Sequence, residues 1–551
     1  MELECGGNRT AAAGRGEGLP MSNDGAMQAY ALTLDKILLH AAKWHHEAAV
    51  ITAAEQAGVK RIGYAQLLER AQSVSSVLAD LGVHKGDRVA TLAWNTQCHV
   101  EAWYGIMGMG AVCHTLNPRL TPGQLSEMLD HSAARILIVS ADLMGLAQQV
   151  AERLPSIAHI LVIDGNVGVE TTKAAGLTIA DLEPLLQQAE TTVPWGEFEE
   201  TAPCGLCFTS GTTGAPKGVS YTHRSSYLHT LRVLQMDVLG ISSNDVVLPV
   251  VPMFHANAWG LPFSVPAVGA NLVLPGRHLD GESLTRLINS QGVTLAVGVP
   301  TVWVGVADYL DATGGQLPSL KRVMVGGAAM PPALMARIEE RLGVTVQTSW
   351  GMTELSPTGT CMPPGLPDRS PSISGRPTLG IDLLLTDRAG RALPQQRNVE
   401  GHLRVRGASV VERYFGHRES ATDADGWFDT GDLARIDSQG YLTISGRSKD
   451  LIKSGGEWIN PSEIEALVGA LQQVSWAAVI GRPDAKWGER PILLVELREK
   501  QDVTDEELLE PLHGRVAPWW IPDAIVRLPK MPLASTGKID KVRLRQDYGA
   551  I

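Results

Sequence analysis

Residues Thr209–Gly218 read TSGTTGAPKG, glycines and hydroxyl side chains closed by a lone lysine, set between two apolar runs. Glycine loses more conformational freedom on folding than any other residue, so such a loop needs a ligand that the backbone must approach closely. Exposed N–H groups, hydroxyls and one ammonium all favour an anion, and phosphate fits. A surface linker is the plain alternative, but linkers usually separate domains and lack an internal Pro-Lys-Gly. The flanks favour the ligand. PCGLCF (203–208) reads as a short buried strand, and VSYTHRSSYLHTLRVL (219–234) has helical character, so the expected setting is strand, glycine loop, helix. It is not a Walker A loop: counting on from Gly211 puts Pro216 where G-x-x-x-x-G-K needs its second glycine.

The elements that must position this loop follow from the rest of the chain. At 551 residues it is too long for one core and holds two or more domains. RVATLAW (88–94), RILIVSA (135–141), HILVID (159–164), LAVGVP (295–300), RVMVGG (322–327) and VTVQTSWG (344–351) read as strands, and TPGQLSEMLDHS (121–132) and PPALMARIEERLG (331–343) between them have helical spacing. Strands alternating with helices imply an α/β fold of parallel sheets covered on both faces. After about residue 380, IDLLLTDRAGRALP, EGHLRVRGASVV and GYLTISG read as short strands joined by tight turns, a small β-rich subdomain. Asn460-Pro-Ser-Glu463 is a helix start, with Asn460 as N-cap and Pro461 at the first helical position. The last hundred or so residues are expected to form a small α+β domain.

Composition narrows the partners. A net charge of −12 argues against nucleic acid, whose backbone demands a basic face, but not against a nucleotide in a local site. The cysteines at 5, 98, 113, 204, 207 and 361 are few and scattered, as in a reducing cytoplasm, and Cys204-Gly-Leu-Cys207 has no second pair or histidine cluster to make it a metal site. Residues 1–27 have no apolar core like a signal peptide's and are expected to be disordered, and Met1 or Met21 could be the start. Val246–Gly276 contains no Asp, Glu, Lys or Arg, yet its five prolines, with His255, Asn257 and Asn271, break a membrane helix, so a buried strand, a loop and a helix are expected there.

Four further stretches complete the pattern: SWGMTE (349–354), WFDTGDLARID (427–437), GRSKDLIKSGGEWINPSEIE (446–465) and PLASTGKIDK (532–541). With TSGTTGAPKG, in this order and at these separations, the chain from about residue 28 resembles the adenylate-forming acyl-CoA synthetases, a superfamily that also holds firefly luciferase and the adenylation domains of peptide synthetases. The resemblance implies a large domain over 28–446 with the ATP and acyl sites, and a mobile domain over 447–551 with a catalytic lysine. It implies ATP, Mg²⁺ and coenzyme A as reactants and cofactor; no membrane span is expected, from the prolines of 246–276, and a homodimer is one assembly left open.

The chemistry so implied has a simple logic. A carboxylate is a poor electrophile, since attack would have to expel oxide. Joining it to AMP creates a good leaving group, with release of pyrophosphate, and a thiol then displaces AMP. Two anions must meet first, so cations and donors must surround them.

By resemblance Thr209, Ser210, Gly211, Thr212, Thr213, Gly214 and Lys217 wrap the β- and γ-phosphates. Glu354 binds Mg²⁺ and Thr353 touches the α-phosphate. Trp350, within Ser349-Trp-Gly351-Met352, stacks on adenine where many relatives carry tyrosine, and Gly327, Ala328 and Ala329 let the adenine edge approach. Asp432 accepts the ribose hydroxyls, and Arg447 reaches ribose or phosphate. Lys538 bridges the substrate carboxylate and the α-phosphate. Lys449 is the hinge, and Ser454, Gly455 and Gly456 line a pantetheine channel after rotation. Alone, Glu354 would read as a helix-start carboxylate, Asp432 as a turn residue and Lys538 as a solvated turn lysine.

The acyl pocket is expected from PMFHANAWG (252–260): His255 near the carboxylate, Trp259 as a cap, and Val299, Trp303 and Gly326 around the rest. HxNAWG is similar to medium-chain acyl-CoA ligases and to 3-methylmercaptopropionate ligases. Two tryptophans argue for a short, compact acid, so short- to medium-chain acids are expected, 3-methylmercaptopropionate foremost. Rival readings are an adenylation enzyme that loads a carrier protein, a ligase for aryl or long-chain acids, a light-emitting oxidase and a binding-only module.

Overall fold

Two large sheets carry the first four-fifths of the chain, and a smaller mixed sheet carries the rest. The computed structural model describes residues 27–54, 58–165, 168, 172–174, 176–209, 216–366, 369–498, 501, 503–534 and 538–549. Residues 1–26, which include most of the expected disordered extension, lie outside the described residues, as do Ser210, Gly211, Thr212, Thr213 and Gly214.

The eight-stranded sheet has a parallel centre. Pro203–Phe208, Val112–Thr115, Arg88–Leu92, Ile136–Ser140, His159–Ile163 and Leu177–Asp181 lie side by side, with antiparallel edges at Gly218–Thr222 and Thr172–Ala174. The strands are near-continuous apolar runs because both faces are covered: Leu137 and Ile138 point to opposite sides and both are buried. The helix Pro122–Ser132 between them starts with a capping box, Thr121 accepting from the Gln124 N–H while Gln124 reaches back.

The thirteen-stranded sheet is half parallel and half antiparallel. Ala49–Ala53, Asn271–Leu274, Val246–Pro249, Leu295–Gly298, Arg322–Val325 and Thr345–Gly351 run parallel. Thr345–Gly351 belongs to both halves: its first residues pair parallel with Arg322–Val325 and its last pair antiparallel with Thr358–Cys361. From there Ile373–Pro377, Leu442–Arg447, Phe428–Ile436, Glu400–Gly407 and Ile381–Thr386 continue antiparallel. The β-rich region expected after residue 380 is thus hydrogen-bonded into the main sheet.

Val246–Gly276 forms the strand Val246–Pro249, a turn at Ala256–Gly260, the short helix Leu261–Ala267 and the strand Asn271–Leu274. Among the described residues no helix is long and apolar enough to cross a membrane.

In the small C-terminal domain Val474–Asp484 and Gly488–Leu497 form a long antiparallel pair, flanked by Ala524–Arg527 and by the hairpin Ile452–Ser454/Glu457–Ile459. Helix Pro461–Gly469 covers one face, and its Asn460 cap accepts from the Ser462 N–H. Helix Lys541–Tyr548 covers the other through buried Leu544.

Candidate active site

In open α/β sheets ligands bind beyond the carboxyl ends of the parallel strands. The expected residues collect there in both large sheets. Thr209 follows Pro203–Phe208, Val299 follows Leu295–Gly298, and His255 and Trp259 lie on the connection after Val246–Pro249. Gly326 and Gly327 follow Arg322–Val325, and Thr353 and Glu354 follow Thr345–Gly351.

The glycine loop is not the strand–loop–helix cradle expected above. Gly218–Thr222 is a strand that pairs antiparallel with Pro203–Phe208, and the helix begins only at His223, capped by Thr222. The segment therefore joins two antiparallel strands, and the helix begins only after the second of them. Its base is closed by the Thr209 N–H donating to the Lys217 carbonyl at 2.9 Å and the Lys217 N–H to Thr209 Oγ1 at 3.4 Å. Alternating valine, tyrosine and threonine in Val219–Thr222 are strand formers, and the helical pattern starts only after them.

Lys217 and Glu354 meet through Tyr414. The Lys217 ammonium stands 4.7 Å over the Tyr414 ring, and the Tyr414 hydroxyl donates to Glu354 Oε1 at 2.9 Å. Glu354 is 8% exposed. Burial raises its pKa, against the backbone and Tyr414 hydrogen bonds and the charges of Arg447 and Lys217. Thr353, also buried, gives its carbonyl to the Tyr221 hydroxyl at 2.9 Å. Ser349, Gly351 and Met352 are partly exposed around this turn.

Asp432 and Arg447 face each other across the antiparallel strands Phe428–Ile436 and Leu442–Arg447, with Arg447 Nε 2.6 Å from Asp432 Oδ1. The Trp350 indole N–H donates to Asp432 Oδ2 at 2.8 Å. Asp432 is 1% exposed, and burial raises its pKa against the pull of Arg447, Trp350 and Lys538. A carboxylate has about four acceptor sites, so each oxygen keeps capacity for a hydroxyl beyond its protein donor. Trp350 is itself buried in the core, packed on Gly359.

Lys538 closes the cluster from the small domain. It is exposed to a cleft, and its carbonyl accepts from the Ala534 N–H at 2.7 Å. The surrounding walls, then the nearby Arg447 charge, lower its pKa to about 8, while Asp432 and Glu354 oppose the shift. A Cβ on Gly327 would stand 3.9 Å from Lys538 Cε, 3.8 Å from the Trp259 ring and 3.5 Å from Val299 Cγ1. Gly327 has φ +80°, and Ala328 and Ala329 beyond it are exposed.

A cavity of about 230 Å³ opens beside Lys538, walled by His255, Trp259, Val299, Phe254, Arg119 and Val302 among others. Burial, then the Lys538 charge, lowers the His255 pKa to about 4, so its imidazole is neutral at physiological pH. Two expected wall residues are placed elsewhere. Trp303 is 1% exposed within the apolar core between Leu284, Leu310 and Val323, because its helix Pro300–Thr313 turns that face to the sheet. Gly326 is packed under Trp259, where a Cβ would come within 3.0 Å of the ring and 2.6 Å of Ser349 Oγ.

Ser454, Gly455 and Gly456 sit apart, at the tip of the Ile452–Ile459 hairpin. Ser454 accepts from Arg490 at 3.1 Å, and Gly455 lies against the Trp487 ring. Lys449 is in the single turn Ser448–Asp450 that follows Arg447, and burial lowers its pKa.

Sequence reasoning missed three residues. Tyr414 lies outside the five motifs. Arg119 follows the strand Val112–Thr115, and only its position after a strand end could have marked it. Asn95 is buried, donates to the carbonyls of Pro249 and Val251, and accepts from the Met253 N–H at 2.7 Å, so it ties the eight-stranded sheet to the loop that carries His255.

A glycine- and hydroxyl-rich segment between two antiparallel strands, a buried carboxylate, an Asp–Arg pair and a tail lysine stand beside one cavity, the arrangement expected of an adenylate-forming enzyme. Comparison with known proteins agrees: the AMP-binding enzyme family matches residues 39–415 and the AMP-binding enzyme C-terminal domain matches 463–538. The chain belongs to the AMP-binding enzymes, and its reaction is ATP-dependent acid–thiol ligation with coenzyme A. It is 40% identical to 3-methylmercaptopropionyl-CoA ligase of Ruegeria lacuscaerulensis over 95% of this chain and 98% of that one. It is 39% identical to medium-chain-fatty-acid–CoA ligase of Ectopseudomonas oleovorans over 96% and 98%, and 41% identical to long-chain-fatty-acid–CoA ligase of Thermus thermophilus over 89% and 91%. Among solved structures, an anthranilate CoA ligase with anthranoyl-AMP superposes with TM-score 0.83 at 26% identity, covering 94% of this chain and 97% of that one. ATP-bound MatB of Rhodopseudomonas palustris superposes with TM-score 0.82 at 25% identity, over 94% and 99%.

Proposed function

We propose that this enzyme activates a short- to medium-chain carboxylic acid, with 3-methylmercaptopropionate as the leading candidate, and passes the acyl group from AMP to coenzyme A. The observation that carries the reading is the position of Lys538, between the apolar cavity and the Asp432–Arg447–Glu354 cluster. An ammonium there is within reach of a carboxylate in the cavity and of a phosphate over the cluster, and it lowers the repulsion between them. The carboxylate oxygen attacks the α-phosphorus, pyrophosphate leaves, and the mixed anhydride with AMP remains.

The chain's own residues divide the remaining work. Lys217 and the hairpin loop hold the outer phosphates, Thr353 borders the α-phosphate, and Asp432 with Arg447 holds the ribose. Trp350 serves this set by fixing Asp432 with its indole N–H. His255, neutral, orients the acid by hydrogen bonding.

Glu354 is the carboxylate assigned here to Mg²⁺, and since no three metal-ligating side chains cluster among the described residues, phosphate oxygens and water would complete the shell. That donor suits Mg²⁺, which Glu354 would hold and which would offset the charge of the phosphates.

Cavity size supports the acid class. About 230 Å³ holds a short or medium chain, and Trp259 and Phe254 narrow it. We further propose the boundary at 446/447, with the small domain turning about Lys449 so that the Ser454–Gly456 tip reaches the site for thioester formation. Free thiols at Cys98, Cys113, Cys204, Cys207 and Cys361 support a cytoplasmic location.

The test is pyrophosphate release with a panel of acids. Highest kcat/KM is expected with 3-methylmercaptopropionate or C4–C8 acids, and best turnover with palmitate or coumarate would overturn the substrate class. Lys538→Ala should abolish adenylation yet still form thioester from synthetic acyl-AMP, and full adenylation by this variant would overturn the assigned role.

A further inference from the structure

The turn Val411–Phe415 joins two parts of the site that are 137 positions apart in the chain, Lys217 and Glu354. At one end the Val411 N–H donates to the Glu354 carbonyl at 2.8 Å, and at the other the Phe415 N–H donates to the Gly218 carbonyl at 2.8 Å. Tyr414 lies between these anchors. Its hydroxyl donates to Glu354 Oε1 at 2.9 Å, and its ring lies under the Lys217 ammonium, 4.7 Å from it. Phe428 meets the ring edge-on at 6.5 Å and limits its rotation.

Neither charge is fixed by its own backbone alone. Lys217 is exposed on a flexible four-carbon stem beside a glycine-rich loop, and Glu354 is a buried carboxylate at the start of a single turn. A phenol supplies both needs at once: a hydrogen-bond donor that sets the plane of the carboxylate, and a π-face that seats a cation.

We propose that Tyr414 is a positioning residue for the nucleotide half of the site, holding Lys217 and Glu354 at the spacing that a triphosphate with its metal requires. This rests on the reading of those two residues as the triphosphate and metal contacts. A tyrosine that served only the fold would affect acid, nucleotide and thioester steps alike. A positioning residue affects the nucleotide alone.

Tyr414→Phe keeps the ring under Lys217 and removes only the hydroxyl, and Tyr414→Leu removes both. The readouts are calorimetric binding of a non-hydrolysable ATP analogue with Mg²⁺, the KM values for ATP and for the acid, and thioester formation from synthetic acyl-AMP. Tyr414→Phe is expected to weaken analogue binding and raise the KM for ATP about tenfold, the scale of one hydrogen bond to a charged group. The KM for the acid and the thioester step should stay within about twofold of wild type. Tyr414→Leu should weaken nucleotide binding further. Unchanged analogue binding by Tyr414→Phe, or equal losses in both half-reactions, would overturn the proposal. Lys217→Ala and Glu354→Gln separate the two levels. If they bind the analogue as wild type does, the triphosphate assignment itself fails. If they weaken binding and Tyr414→Phe does not, only the role of Tyr414 fails.

Discussion

In the proposed function Lys538 is the residue whose charge the reaction needs, and its surroundings work against that charge. Its pKa of about 8 sits well below the ordinary lysine value because the cleft and Arg447 disfavour the ammonium more than Asp432 and Glu354 favour it. The group is protonated below that value and neutral above it. kcat/KM for adenylation, which reports the free enzyme, should therefore fall about tenfold per pH unit above roughly pH 8. Lys538→Arg, whose guanidinium stays charged, should show no such fall in whatever activity it keeps. A wild-type profile flat to about pH 10 would mean that Lys538 keeps the ordinary lysine pKa in the free enzyme, while loss of the fall in wild type and Lys538→Arg alike would leave the ammonium untested by pH and throw the decision on Lys538→Ala. His255, at about 4, should contribute no inflection between pH 5 and 8. SWGMTE gave no hint that the Trp350 indole N–H is committed to Asp432. That pairing spans 82 positions, and sequence spacing carries no information about which buried donor meets which acceptor.

At the scale of elements, the loop that carries Trp259 is held in a costly conformation. Ala256, Asn257, Ala258 and Trp259 have φ of 44°, 53°, 46° and 54°, and Gly260 follows at 74°. The left-handed region costs a non-glycine residue about 1–2 kcal/mol, so four in succession persist only where packing and hydrogen bonds overdetermine them. Here the Ala258 N–H donates to the carbonyls of Pro252 and His255, and Asn95 fixes Pro249, Val251 and Met253 just upstream. HANAWG shows the tolerant residues, Asn257 and Gly260, but not the handedness. The turn seats Trp259 on Gly326, where a side chain has no room. Gly326→Ala is expected to displace Trp259 and alter acid choice, raising the KM for the best acid at least about fivefold while the KM for ATP stays within twofold, since overpacking costs about 1–3 kcal/mol locally. Unchanged acid kinetics would mean that Trp259 does not border the bound acid. The central strands within 88–94, 135–141, 159–164, 295–300, 322–327 and 344–351 were legible as apolar runs with turn residues at their ends, while others as central as Val112–Thr115 and Gly488–Leu497 were not. Val219–Thr222 was not, because a four- or five-residue strand running directly into a helix shows too little of either period.

At the scale of the whole molecule, the proposed function gives Lys538 and the Ser454–Gly456 tip, both in the small domain, to different steps, so that under it they would occupy the site in turn. The tip is packed on Trp487, while Lys538 lies by Gly327. If the domain turns about Lys449, restricting that backbone should separate the half-reactions. Lys449→Pro, which fixes φ near −65°, is expected to leave pyrophosphate exchange within about threefold of wild type and to slow thioester formation from acyl-AMP at least about tenfold. Equal effects on both steps would place the pivot elsewhere.

By itself the sequence determined the α/β class, the run of strands and caps, the motif set and the chemistry those residue types permit, because periodicity, turn residues and short motifs are local properties of a chain. Only the tertiary structure decided that the glycine-rich segment joins two antiparallel strands, that Trp303 belongs to the core, and that Asn95 and Tyr414 bind distant segments of the chain together. These are contacts across tens to hundreds of positions, set by sheet order and by the pairing of buried polar groups, and neither is written in any window of sequence short enough to read.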